Sequence, residues 1–303
     1  MPEGDTILRL ASKINERLSG ARALASIFRH PRLATADLSG RVLIGATSHG
    51  KHLFLNWDDD RSLHIHLLMQ GQVHLGRRPI AEEWRRRFEI EFEGKTLTGV
   101  DIPLLHLIPT SKTGDFIGHL GPDLCGALDL DVAIDRVAAD SDAHLGAALL
   151  DQRNVAGFGN VYAVEVPFIC GIAPMTTVGT IDGLDALLSI GAALIRANAR
   201  LGPQNTTGRK LSTSDQWILG TTRRDCPICG SILHRRSGSN CPWNRRTIWC
   251  EGCQRTDDTV VDIQRAQQLL AMHPARKELD FGGDFGGSDL FVGNRDPVVT
   301  SRR

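Results

Sequence analysis

Two cysteine pairs constrain this chain more than any other feature of it. Cys226-Pro227-Ile228-Cys229-Gly230 and Cys250-Glu251-Gly252-Cys253 frame a loop of twenty residues. Two C-x-x-C knuckles at that spacing bring four thiolates into one tetrahedral site, and Zn2+ is the usual metal of such a site. Cys226, Cys229, Cys250 and Cys253 leave no coordination position for water, so the role expected of the single ion is structural. Binding it folds a short hairpin that has too little core to fold alone. Cys241 and His234 lie inside the loop but in neither knuckle, and Cys125 and Cys170 read as buried small residues.

The chain has seven cysteines in 303 residues. An odd number with paired knuckles suits an intracellular metal site better than a disulfide framework. No signal peptide is evident, and no apolar run is long enough to span a bilayer. The expectation is a cytoplasmic protein with no membrane partner and no small-molecule cofactor, active as a monomer. Formal net charge is zero, which argues against a basic nucleic-acid coat. The charge is uneven, however. From Arg196 to Arg255 there are eleven Lys/Arg against three acidic residues, and from Asp115 to Asp142 seven Asp against Arg136 alone. A basic C-terminal third suggests a local polyanion site. The cysteine loop itself carries Arg235-Arg236 and Asn244-Arg245-Arg246, and a guanidinium can bind two phosphate oxygens at once. A ribosomal protein, a topoisomerase tail and a repair enzyme could each carry such a module.

Hydrophobic periodicity predicts an amphipathic helix over residues 3–19, on Ile7, Leu10, Ala11, Ile14 and Leu18. Short strands follow at 41–44, 53–55, 63–67 and 88–92, separated by turns such as Asp58-Asp59-Asp60 and Glu93-Gly94-Lys95. That is the pattern of an antiparallel sandwich or barrel. Composition changes near Gly121-Pro122-Asp123. Helical patterns then cover 132–139, 144–152, 160–166 and 184–200. A polar, basic stretch at 201–225 is of a kind that orders on a ligand. Phe281 to Gly287 is glycine-rich and reads as part of a disordered tail.

Two further features carry chemistry. Met1-Pro2-Glu3 places a small residue second, so removal of Met1 is expected, leaving a secondary amine followed by a carboxylate. A terminal amine of pKa near ~8 is about a quarter unprotonated at pH 7.5, against about a thousandth of an ordinary lysine, and a free amine attacks electrophilic carbon to form a Schiff base. The stretch from Leu149 to Tyr162 turns tightly at Gly157 and Gly159 and begins a helix at Asn160, where free amides favour an anion such as a phosphate.

Pro2-Glu3-Gly4, Gly50-Lys51-His52-Leu53, Leu150-Asp151-Gln152 through Asn160, and the paired cysteines with Arg245 occur in one order along the chain. In that order they resemble the formamidopyrimidine-DNA glycosylase and endonuclease VIII family of base-excision repair enzymes, over roughly residues 2–254. The stretch ending Trp217-Ile218-Leu219-Gly220 is most similar to the endonuclease VIII branch of actinobacterial type. The resemblance implies an α+β multidomain fold: an N-terminal helix on an antiparallel β-sandwich (2–120), a helix–two-turn–helix domain (131–222), a four-cysteine zinc finger (223–256) and a tail (257–303). The implied activity is a bifunctional glycosylase and abasic-site lyase on damaged double-stranded or single-stranded DNA. Pro2 would be the nucleophile, Glu3 the proton donor and shuttle, and Lys51 the holder of a phosphate. Asn160 and Arg245 would grip phosphates flanking an extruded nucleotide, and Met69 would fill the gap in the stack. Oxidised pyrimidines are the expected lesions, with ring-opened purines the alternative. A DNA-binding protein with weakened chemistry is the competing reading. His64 and His66 read as structural. Two departures stand out: Thr6 replaces a Glu of most members, and Leu219 replaces an aromatic residue.

Overall fold

A computed structural model gives the fold and describes residues 2–279 apart from 78, 221, 257 and 258. The expectation for Phe281 to Gly287 therefore falls outside the described residues. Helix α1 spans Gly4–Leu18. Ile7, Ala11, Ile14 and Leu18 all point one way and are buried, as a 3.6-residue period requires.

Eight strands follow: β1 (Ala25–Phe28), β2 (Leu43–His49), β3 (His52–Trp57), β4 (Arg61–His66), β5 (Gln72–Gly76), β6 (Arg86–Phe92), β7 (Lys95–Val100) and β8 (Leu104–Pro109). They form two four-stranded sheets, ordered β2-β3-β4-β8 and β1-β6-β7-β5, with every neighbouring pair antiparallel. Leu53, Leu55, Leu63, Ile65 and Leu105 of one sheet share a core with Phe88, Ile90 and Leu97 of the other and with the apolar face of α1. In the β2–β3 hairpin His49 pairs with His52, so Gly50 and Lys51 are its two-residue tip.

The second half is helical: α2 (Thr113–Ile117), α3 (Leu130–Ala138), α4 (Leu145–Leu150), α5 (Asn160–Ile169) and α6 (Leu184–Leu201). Nine of the ten residues of α5 are buried. A helix apolar on all sides belongs in a core, and α5 has three different neighbours. Phe158 and Tyr162 join the helical core with α6. Val164 and Phe168 join a third core with Ile218, Cys226, Leu233, Ile248 and Cys250, beneath the small hairpin of β10 (His234–Arg236) and β11 (Thr247–Trp249). Glu165, fully buried, accepts from Thr206 Oγ1 (2.6 Å) and from the backbone amides of Trp217, Ile218 and Leu219 at 2.7, 2.9 and 2.8 Å. Within the stretch 201–225, expected to order on a ligand, Thr206 and residues 217–219 are thus held by a carboxylate inside the protein.

Residues 259–279, which the sequence reading leaves in the tail, belong to the helical half. β12 (Thr259–Val260) pairs in parallel with β9 (Ile181–Asp182). Beyond it, α7 (Ile263–Leu269) and the turn after it bury Ala266, Leu270 and Ala275 in the helical core. Glu278 ends the strap in ion pairs with Arg196 and Arg200 of α6.

Candidate active site

The two halves meet at Glu3. It is the N-cap residue of α1, yet its side chain serves another helix. Oε2 accepts from the Gly159 amide and Oε1 from the Val161 amide, both at 2.9 Å, at the start of α5. The backbone amide of Gly4 donates to Gly157 O at 2.9 Å. A carboxylate on free amides at a helix start satisfies donors that have no partner within the helix. Gly159 makes the approach possible, because a Cβ there would stand 2.4 Å from the Glu3 carboxyl carbon. Gln152 shapes the turn from within. Its Nε2 donates to Leu150 O and Phe158 O (3.0 and 2.9 Å), and its Oε1 accepts from the Gly157 amide at 3.2 Å.

Glu3 is completely buried. Burial pushes its pKa up to about 7, against the pull of the Val161 amide and the Lys51 charge, with Asp5 adding to the rise. It therefore sits between proton donor and acceptor at neutral pH, where a general acid–base group works best. Lys51 reaches the same place from the hairpin tip. Gly50 holds a left-handed φ of +53°, and a Cβ on it would come 2.9 Å from the Ala156 side chain, so the tip rests on the glycine turn. Burial lowers the Lys51 pKa, Glu3 raises it and Arg245 lowers it. Arg245 thus lies within electrostatic reach of Lys51, from the exposed turn between β10 and β11.

The structure brings Glu3, Lys51, Asn160 and Arg245 together from four elements distant in sequence. Asn160 is the first residue of α5, and its Oδ1 is buried with no hydrogen-bond partner among the described residues. Pro2 is half-buried and lines two adjoining cavities with Thr6, Arg9, Gly71 and Gln72. The larger, about 580 Å³, also takes in Met69, Gln70 and Gln204. Met69 is 63% exposed in the turn after β4, at the rim of that cavity. Of the two departures noted in the sequence, Thr6 lines the cavities, whereas Leu219 packs against the core beneath the cysteine hairpin, its amide held by Glu165.

Gln152 belongs to a motif read in the sequence, but two acids carry no signal in the sequence pattern: Glu165 lies within an apolar helical stretch, and Asp5 follows the recognised motif by one residue. A buried carboxylate is rare without partners, but its partners lie up to 199 residues away in the chain and are visible only in the fold.

His64 lies inside its sheet's outer layer. His52 Nδ1 and His64 Nε2 are 2.9 Å apart, and His64 Nδ1 and His106 Nδ1 3.4 Å. The ring of His66 meets that of His52 edge-on. Burial lowers His52 to about 3 and His64 and His66 to about 4, so the rings are neutral at physiological pH.

The sulfur atoms of Cys226, Cys229, Cys250 and Cys253 lie within 4.8 Å of one another, with Cys226–Cys253 at 3.7 Å and Cys229–Cys250 at 3.4 Å. A tetrahedral metal with bonds of ~2.3 Å to sulfur requires edges of about 3.8 Å, so the four residues fit a metal ion. Cys125, Cys170 and Cys241 are buried apart from it.

A cleft of this construction, with an acid between two halves and cations converging on it, defines a protein that works on a phosphate-bearing polymer. The chain belongs to the formamidopyrimidine-DNA glycosylase and endonuclease VIII family. Its residues 1–103 match the formamidopyrimidine-DNA glycosylase N-terminal domain. It is 36% identical over 261 residues to a probable endonuclease 8 2 of Streptomyces coelicolor, covering 84% of this chain and 94% of that one. It is 35% identical over 255 residues to the DNA-(apurinic or apyrimidinic site) lyase Nei2 of Mycolicibacterium smegmatis, covering 84% and 99%. In fold it resembles the Lactococcus lactis formamidopyrimidine-DNA glycosylase solved with DNA containing an abasic site, with TM-score 0.71, 22% identity, and coverage of 84% of this chain and all of the other.

Proposed function

We propose that this chain is a bifunctional DNA glycosylase and abasic-site lyase of base-excision repair, acting on oxidised bases and on pyrimidines in preference to purines. The observation that carries the reading is Glu3: buried, gripped by two amides from the opposite half, poised near pH 7, and one bond from the nitrogen-bearing residue Pro2. That nitrogen is nucleophilic only as a terminus, so removal of Met1 creates the reactive group.

An extruded nucleotide would bring its sugar to Pro2, at a cost of a few kcal/mol that is smallest for a damaged base. The Pro2 nitrogen attacks C1′ and the base leaves with its bonding electrons and a proton. Glu3 gives its proton to the sugar ring oxygen as the C1′–O bond opens, leaving an iminium on Pro2. This acidifies the C2′ proton. Its removal expels the 3′ phosphate, and a second elimination expels the 5′ phosphate. Hydrolysis then frees Pro2. Lys51, Asn160 and Arg245 would hold the phosphates on either side; such contacts position the strand without reading sequence. Met69 would fill the space left in the duplex.

The assignment of parts is a β-sandwich catalytic half at 2–120, a helix–two-turn–helix unit at 131–222, and a zinc finger at 223–256, with 259–279 rejoining the helical unit. Zinc on the four cysteines would fix the hairpin that carries Arg245 and supply no chemistry to the reaction.

Borohydride reduction during reaction with an abasic-site duplex tests the mechanism. A covalent adduct at residue 2 is expected. If Pro2→Gly trapped equally well through another side chain, the nucleophile would be misassigned. Tight binding with no adduct would instead favour a damaged-DNA-binding protein with lost catalysis.

A further inference from the structure

Residues 259–279 follow the last family motif and supply none of the site residues named above, yet they are tied into the protein at a particular place. Beyond α7 the chain turns at His273, which is buried. Its Nδ1 accepts from the Ala275 amide at 3.1 Å, capping the short turn Pro274–Lys277. Burial lowers the pKa of the ring, and in a neutral imidazole with one nitrogen accepting, the other carries the proton. His273 Nε2 therefore donates to Asn205 O, 2.9 Å away.

Asn205 is the hub of the loop after α6. Its side chain donates to Lys210 O and Thr213 O (2.8 and 3.1 Å) and accepts from the amides of Thr207 and Gly208 (3.2 and 2.8 Å). That uses the full capacity of a carboxamide and gives the loop its shape. Its position comes from the Asn205 backbone, whose N–H donates to Asn198 Oδ1 of α6 at 3.2 Å and whose C=O is held by the strap. Gly208 presses on the same place: it has a left-handed φ of +75°, and a Cβ on it would stand 2.6 Å from His273 N. Two further ties flank these, Gln204 to Asp5 and Thr206 to Glu165.

Both ends of this loop wall the larger cavity beside Pro2, through Gln204 at one end and Ser214 at the other. Lys51, Asn160 and Arg245, assigned above to the phosphates, are not among the described residues that line it. The carboxamides of Gln70, Gln72 and Gln204 are, and such groups both donate and accept, as the edge of a base requires. With the sugar at Pro2, this space falls to the base. We propose that residues 259–279 brace the base-facing wall of the cavity, and that His273 is the positioning residue: by holding Asn205 O it fixes the 202–214 loop, and with it the seat of the damaged base, without touching the chemistry at Pro2. The inference rests on the glycosylase and lyase reading given above.

Two substrates separate these roles in the full-length protein. One duplex carries the damaged base that wild type removes faster, an oxidised pyrimidine or a ring-opened purine; the other carries a preformed abasic site and has no base to seat. His273→Ala is expected to lower single-turnover base excision about tenfold, the effect of one buried hydrogen bond, and to leave borohydride trapping on the abasic duplex within about twofold of wild type. His273→Gln, which can place an amide N–H where Nε2 stands, should restore excision. Gly208→Ala, which drives the loop off the strap from the other side, should repeat the split. Equal losses on both substrates, or no loss of excision, would overturn the inference. Hydrogen exchange without DNA gives a second arm: His273→Ala should speed exchange of the Thr207 and Gly208 amides while α6 keeps its protection, and unchanged exchange there would equally overturn it. Failure of the underlying function would show in wild type itself, as no adduct with abasic DNA and no base released.

Discussion

At the scale of single residues, the site is built from close approaches that leave no slack. Gly159→Ala sets a methyl group against the Glu3 carboxyl, and overpacking of this kind costs about 1–3 kcal/mol. It is expected to lower the rate of adduct formation at least tenfold while the rest of the fold persists; an unchanged trapping rate would mean that the Glu3 contact with α5 is dispensable. Arg245→Ala should act differently. Removing one phosphate contact reduces the slope of log K against log salt by about one, with adduct formation at saturating protein little altered, and a slope identical to wild type would remove Arg245 from the interface. Both residues were legible in the sequence, since glycines in a turn and arginines in a metal hairpin each have a chemical rationale at short range. Asp5 and Glu165 were not, because an acid in a helical pattern reads as solvated until the fold shows what encloses it.

Among the elements, α5 has the widest reach. Its first turn receives Glu3, its middle holds the 206–219 segment through Glu165, and its far end shares a core with the cysteine hairpin. Glu165→Ala would strand three backbone amides and a hydroxyl, a loss of roughly 3 kcal/mol or more on the cost of unpaired buried donors. Urea unfolding should show it as a lower midpoint, and an unshifted midpoint would refute the carboxylate's organising role. Chelation of the metal is expected to abolish hydrogen-exchange protection in the 234–236 and 247–249 strands and to weaken DNA binding, while protection of β3 and β4 survives because their core is separate. Simultaneous loss of protection in both would show that the cores are not independent. The helices were readable from their period because each buries one broad face. Strands β1, β5, β7 and β8 were not read, being short, although the alternation of Gln72-Val73-His74-Leu75 in β5 and the apolar run of β8 are in the sequence. The segment 259–279 was left in the tail for another reason: its apolar residues, among them Ala266 to Met272, are visible in the sequence, but the core they fill, formed by residues 124–197, is not.

For the molecule as a whole, protons link stability to pH in opposite directions. His52, His64 and His66 have folded pKa values of about 3, 4 and 4, below the ~6.5 of an unfolded chain. The unfolded chain therefore takes up more protons as pH falls from 6.5 to 4, and stability contributed by the neutral rings is lost across that window. Glu3 runs the other way. Its folded pKa of about 7 lies above the ordinary value of 4.5, so its contribution is fully present below pH 4.5 and is lost as pH rises through 7. His64→Gln should make the thermal midpoint lose less between pH 6.5 and 4 than that of wild type; an identical change in the two proteins would exclude the histidine stack as a source of acid sensitivity.

The bond between Glu3 and α5 also joins the two halves by a tie whose strength depends on the protonation of Glu3. Hydrogen bonds to an ionised acceptor are about twice as strong as neutral ones, and an anion suits a helix start better than a neutral acid does. On the proposed mechanism, loss of the Glu3 proton to the sugar would strengthen the tie between the two halves, and reprotonation would slacken it.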